Sequence, residues 1–230
     1  MRGKASIQLK TGEIEECYKI TLLLERFSQF LMSISNVSFE QIELYENDIP
    51  AGEFYCKSIT DTSEIDNDFM FYEFQVMKYS SRILNNLAID LESKITSSIP
   101  LGHITDYDNM YTPKRFIDEI TSFEYLFEKL EPDKARSKKY PLREELKYMF
   151  DAFPEVLSGT NTNSDKISIC IKELRTNIVH GYAYYYDFTD NTREQYYTLK
   201  IASLIQRMSL KMMGFNDLEI QEFGKYIIPF

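Results

Sequence analysis

Tryptophan is absent from this 230-residue chain, histidine occurs twice and cysteine three times. Each scarcity excludes a chemistry. Cys17, Cys56 and Cys170 are far apart and form no CxxC pair, so they support neither a disulfide framework nor, with two histidines, a zinc site. The expectation is reduced thiols in the cytoplasm, with no metal and no other cofactor. Glycine (8) and proline (7) are too few to interrupt the chain often, which favours long periodic segments. The most apolar run, Ile20-Thr21-Leu22-Leu23-Leu24, falls far short of the roughly 20 residues that span a bilayer. The first ten residues have no apolar stretch of the kind a signal peptide carries, so neither export nor a membrane partner is expected.

Positive charge is also short. Lys and Arg number 26 against 36 Asp and Glu, a formal net charge of −10, which argues against binding nucleic acid or anionic lipid over the whole surface. RNA would need a local basic site. Lys134, Arg136, Lys138, Lys139 and Arg143 offer one, with no acid among them until Glu144, although a solvated connection between two helices accounts for the same run.

What the chain does have is core material: 43% hydrophobic residues, with 17 Tyr and 16 Phe. Cys17, Ile20, Leu24, Phe27, Leu31 and Ile34 recur at spacings of three and four and predict an amphipathic helix over 12–35. Val37–Tyr45 and Glu53–Ile59 read as strands around a turn-rich 46–52, and Met70, Tyr72, Phe74 and Val76 alternate as a third. Helical spacing returns over 81–95. The Ser- and Pro-containing stretch 97–102 then places a boundary near residue 100, giving an α+β segment 1–100 and a helical bundle 101–230.

In the second part Thr112 and Pro113 open a helix with Phe116, Ile120, Phe123 and Phe127 on one stripe, ending at Glu131-Pro132. Pro141 opens the next, through 157. A helix from Ser164 or Asp165 to His180 stops at Gly181, and a last long helix runs from Arg193 to Met213 before Gly214, with a short turn at about 216–223. The fold class predicted is mainly α, an up-and-down bundle preceded by the smaller α+β segment.

The stretch Arg175-Thr176-Asn177-Ile178-Val179-His180-Gly181 contains one of the two histidines. At about 100° per residue from Ile167, residues Ile171, Leu174 and Ile178 stay within about 40° and face the core, whereas Thr176 falls at about 180° and His180 at about 220°. The histidine therefore lies off the core stripe. Two readings stand: a charged imidazole suits the negative end of the helix dipole, and the mixture of Ile169, Val179, Thr176 and His180 also suits a self-association surface. Arg175, at about 80°, lies between the two faces. The other histidine, His103, has no partner pattern and reads as structural.

The Arg, four residues, His pattern near the end of a penultimate helix resembles the motif of HEPN domains. The order of helices containing Ser122–Leu126, 141–157, the motif, and Leu204–Gly214 is similar to the carboxy-terminal HEPN domain of ApeA-like antiphage proteins. Arg26–Leu31 and the strand Glu40–Tyr45 resemble the segment before it. After the arginine the family usually has Asn, Asp or His; here Thr176 stands there, with Asn177 next. Relatives usually carry a larger amino-terminal domain as well.

The resemblance implies a metal-independent endoribonuclease acting as a homodimer on RNA, tRNA included, in antiphage defence or as a toxin. His180 is then the general acid or base, a role suited to a side chain that ordinarily titrates near about 6.5. Arg175 holds the phosphate, and Thr176 or Asn177 orient one or the other. Tyr182 and Tyr184, with Tyr185 and Tyr186, are placed to stack unpaired bases or, equally, to pack over the bundle. The resemblance also singles out Glu124. It is compatible with a partner protein that senses or inhibits, such as a small nucleotidyltransferase. The alternative is a HEPN-like module without catalysis, used for dimerisation or sensing through a partner chain.

Overall fold

A computed structural model of the chain describes residues 19, 23, 41–46, 49–55, 73–93, 112–137, 140–188 and 192–224. The chain divides into two compact units, residues 1–95 and 96–230. Among the described residues helix dominates and strand is confined to one hairpin.

In the first unit β1 (Gln41–Glu46) pairs antiparallel with β2 (Ile49–Tyr55), Gln41 opposite Tyr55 and Leu44 opposite Gly52. Between Leu44 and Tyr45 the register shifts, so that Tyr45 faces Pro50. A bulge of this kind absorbs one unpaired residue, and the short edge tolerates a proline that donates no ladder bond. The expected turn 46–52 thus yields most of its length to strand: Ile49, Pro50, Ala51 and Gly52 all belong to β2. Helix α1 (Glu73–Ser93) corrects a second expectation, since Phe74 and Val76, read as alternating strand residues, are helical. Their period-two pattern covers only a few positions, and it gives way to the stripe of Tyr79, Ile83 and Leu87, all buried at spacings of four. Of the helix expected over 12–35, Lys19 and Leu23 are helical; the rest, and His103, lie outside the described residues.

The second unit contains α2 (Pro113–Leu130), a single turn α3 (Pro132–Ala135), α4 (Leu142–Ala152), a 3-10 turn (Pro154–Leu157), α5 (Ser164–Asn177), α6 (Arg193–Met212) and α7 (Asp217–Gly224). Short polar caps fix most starts. Thr112 accepts from the Arg115 amide at 3.1 Å, Asn163 from Lys166 at 2.8 Å and Thr192 from Gln195 at 3.3 Å, each meeting an amide the first helical turn leaves orphaned. Asn216 and Glu219 exchange reciprocal bonds of 3.0 and 2.9 Å, a capping box that starts α7.

Helix α2 packs chiefly on α6, and α4 chiefly on α5; smaller contacts join α2 to α4, α2 to α5 and α5 to α6. Phe116, Ile120, Phe123 and Phe127 of α2 are at most 1% exposed, as are Leu146, Ile171 and Leu204 from three other helices. Phe127 stacks with Phe123 and meets Tyr148 edge-on, both at 6.1 Å between centroids. Burying each such side chain stabilises by about 1.5–3 kcal/mol.

Charges enter this core too. Arg207 on α6, 2% exposed, donates from Nε to Glu155 at 2.8 Å and from Nη1 to the Ser203 carbonyl at 3.0 Å, tying the 3-10 turn to α6. Arg115 and Glu119, one turn apart on α2, approach to 2.6 Å without hydrogen-bond alignment, so both side chains keep unmet hydrogen-bonding atoms in the interior. Burial pushes Glu119 up to about 7, with Arg115 opposing.

Candidate functional site

The face geometry predicted for α5 holds for its first three core positions: Ile167, Ile171 and Leu174 are at most 3% exposed. It loosens at Ile178, which is only half-buried. The reason is local. From Ile178 to Tyr182 the chain widens into a π turn, and Gly181 within it takes φ 87° and ψ 12°. The helix thus ends at Asn177, not at His180 as the pattern predicted. Glycine enters the left-handed region without the steric penalty of a side chain, and nothing within 4 Å of its missing Cβ fills the space.

Arg175 is half-buried in the last turn of α5, whereas His180 in the π turn is exposed. Within one chain no hydrogen bond or ion pair joins them, and neither is held by another described side chain. Thr176 spends its hydroxyl on the Lys172 carbonyl at 2.8 Å, a bond back to the preceding helical turn. Its proton is therefore committed to the backbone. Asn177 donates from Nδ2 to the Tyr186 hydroxyl, across the π turn.

The segment after the motif is anchored at both ends and exposed between them. Phe188 is buried against Phe116, with ring centroids 6.2 Å apart, while Tyr182, Tyr184 and Tyr185 are 49%, 73% and 71% exposed. Tyr184 and Tyr185 have centroids 4.2 Å apart, and Tyr182 lies 6.2 Å from Tyr185. A hydrogen bond with Tyr185 holds the Tyr184 phenol above its ordinary range. Val179 in the π turn is 57% exposed.

The basic run does not present a row of free cations. Lys134 is bound by Glu131 and by the Tyr148 hydroxyl at 3.2 Å, and it lies over the Tyr148 ring; the Glu131 bond raises its affinity for its proton. Arg143 is bound to Asp165 at 2.7 Å. Arg136 is exposed, and Lys138 and Lys139 lie outside the described residues. Among the described residues, none of the hydrogen bonds or ion pairs of Lys134 and Arg143 is with a motif residue.

Glu124, which the resemblance singled out, lies within reach of the Arg175 charge. Burial raises Glu124 of α2, and the Arg175 charge opposes that rise. Burial and then the Glu124 charge push Glu145 of α4 up to about 7. Glu145 sits on the flank of the Leu142, Leu146, Met149 stripe, which a helical projection of α4 alone would have revealed. Among the described residues no group of three His, Cys, Asp or Glu side chains could hold a metal, Cys170 is a free thiol, and no helix is long and apolar enough to cross a membrane.

The site belongs to a mainly α protein. Comparison with known proteins returned no matching family model, no matching curated protein and no matching solved structure.

Proposed function

We propose that this chain is a metal-independent endoribonuclease of the HEPN type, a helical bundle that acts as a homodimer in antiphage defence or as a toxin. The observation that carries the reading is the pairing, at one helix end, of an arginine that forms no ion pair among the described residues with an exposed histidine about one turn on. On this reading the site is composite, each chain contributing its Arg175 and His180 to one cleft. In it an imidazole takes the proton of a 2′-hydroxyl, the oxygen attacks the adjacent phosphorus, and the bond to the 5′-oxygen breaks as a second imidazole, protonated, returns a proton to it. Arg175 spreads its donors over the nonbridging oxygens where charge develops. The products are a 2′,3′-cyclic phosphate and a 5′-hydroxyl. Tyr182, Tyr184 and Tyr185 supply faces for unpaired bases, each stacked base contributing about 1–3 kcal/mol.

The test is cleavage of total RNA and purified tRNA in the presence of EDTA, with Arg175→Ala and His180→Ala in parallel. Each substitution should lower the rate about 10²- to 10⁴-fold without altering the fold. Equal cleavage by all three proteins, or none by any, rejects the reading.

One observation favours a second reading, a HEPN-like dimerisation or sensing module without catalysis: the Thr176 hydroxyl gives its hydrogen to the Lys172 carbonyl and has none to donate to the imidazole or a phosphate. On this reading His180→Ala leaves the biological effect intact. If a co-encoded partner silences the nuclease, growth arrest on expression is rescued by supplying that partner.

A further inference from the structure

His180 stands in a stretch of chain that is fixed at its two ends and exposed in its middle. Helix α5 ends at Asn177, Ile178–Tyr182 forms the π turn with Gly181 at φ 87°, and Ala183–Tyr185 forms a 3-10 turn. At Tyr186 the backbone becomes extended, with φ −109° and ψ 138°, and two residues later Phe188 is buried against Phe116. A π turn takes one residue more than an α turn, is rare, and recurs at functional sites. Such a conformation persists where the structure around it holds it.

The four tyrosines of this stretch divide by what they touch. Tyr182, Tyr184 and Tyr185 are 49%, 73% and 71% exposed, and the Tyr184 phenol is bonded to Tyr185. Tyr186 differs: it is partly buried, its amide donates to the Ala183 carbonyl at 3.1 Å, and its hydroxyl accepts from Nδ2 of Asn177. That bond joins the last residue of α5 to the first extended residue after the turns and closes a ring of chain with His180 inside it. Asn177 and Ile178 keep helical backbone angles, so Asn177 and His180, three positions apart, are neighbours on one face. His180 itself forms no hydrogen bond or ion pair among the described residues, so its placement is that of the backbone which carries it.

We propose that Tyr186 is a positioning residue for His180: by accepting the Asn177 amide, its hydroxyl closes the π turn and keeps the imidazole where it exchanges a proton with an RNA 2′-hydroxyl or 5′-oxygen. The inference rests on the reading of His180 as the acid or base of an endoribonuclease. Proton transfer needs the imidazole within hydrogen-bond reach, and a displacement of about 1 Å costs up to about 10²-fold. Stacking on an exposed ring tolerates such a displacement, since every base has a face to offer. Opening the ring of chain therefore costs turnover more than affinity.

Three measurements on the full chain test this, with Tyr186→Phe, which removes one oxygen and no core side chain, as the main variant. In imidazole NMR spectra, the ring signals that are missing from His180→Ala should shift and broaden in Tyr186→Phe, while those of the other histidine stay in place. Turnover of an RNA oligonucleotide should fall about tenfold, the net contribution of one hydrogen bond. Affinity for the same oligonucleotide made uncleavable by 2′-deoxy substitution should change by less than about threefold. In an Asn177→Ala background Tyr186→Phe should cost nothing further, because the bond is already gone.

Unchanged His180 signals in Tyr186→Phe overturn the inference and leave the nuclease reading standing. Displaced signals beside undiminished turnover overturn the role in catalysis, as does a loss of affinity equal to the loss of turnover, which assigns the bond to RNA binding instead. A further loss on adding Tyr186→Phe to Asn177→Ala overturns action through Asn177. No cleavage by the wild type rejects the nuclease reading and this positioning role with it.

Discussion

Asn177 and Tyr186 close the histidine-bearing turn like a clasp: the Asn177 amide donates to the Tyr186 hydroxyl across the nine positions that separate them. Everything between, including His180 and the exposed tyrosines, is held by that bond, by the left-handed Gly181 and by the burial of Phe188.

Breaking the clasp should loosen the turn more than the bundle. Tyr186→Phe removes only the hydroxyl and leaves the Asn177 amide to water, so the loss of global stability should be about 1 kcal/mol. Amide hydrogen exchange over 178–186 should accelerate while that of α4 and α6 stays unchanged. Uniform acceleration throughout the bundle would show that the bond serves the whole fold and not the turn.

Gly181→Ala should destabilise the chain by about 1–2 kcal/mol, the strain an L-residue carries in the left-handed region. Nothing within 4 Å of the added Cβ contributes a clash. Chemical denaturation reads this directly. A loss well above that range would point to a steric neighbour, and no loss would mean that the turn relaxes into another conformation.

The buried Glu119 makes stability depend on pH. Its folded-state titration, pushed up to about 7 by burial against the opposing Arg115, lies above the ordinary value of about 4.3. The native state therefore binds this proton more tightly than the unfolded chain. The associated stability is complete below about pH 4.3 and is lost as pH rises through about 7. Against Glu119→Gln, the wild type should lose on the order of 2–3 kcal/mol between pH 5 and 8, whatever constant offset the variant carries. Parallel stability curves for the two proteins would contradict this.

Much of the helical unit was legible because its signals are local. Thr112 and Pro113 announce the start of α2, and Gly214 the end of α6; the stripes of α2 and α5 name residues that are buried. The hairpin and α1 were less legible. Period two over Met70 to Val76 and the turn signals at 46–52 are short, and pairing across the hairpin or continuation of a helix decides between states that such windows leave open. At the candidate site the residue types were readable and their engagements were not. The basic run did not show that Glu131 and Tyr148 hold Lys134, and the motif did not show that the Thr176 hydroxyl gives its hydrogen to the Lys172 carbonyl.

The sequence alone determined where α2 begins and where α6 ends, which stripes of α2 and α5 are apolar, and that Arg175 falls off the core stripe of α5, since these follow from backbone sterics and a fixed period. Only the tertiary structure decided which charges are spent on one another. It bound Lys134 and Arg143, buried Glu119 beside Arg115, and set Glu124 of α2 within reach of the Arg175 charge on α5. Charge pairing and desolvation depend on distances across the packed helices, and spacing along a chain carries no record of those.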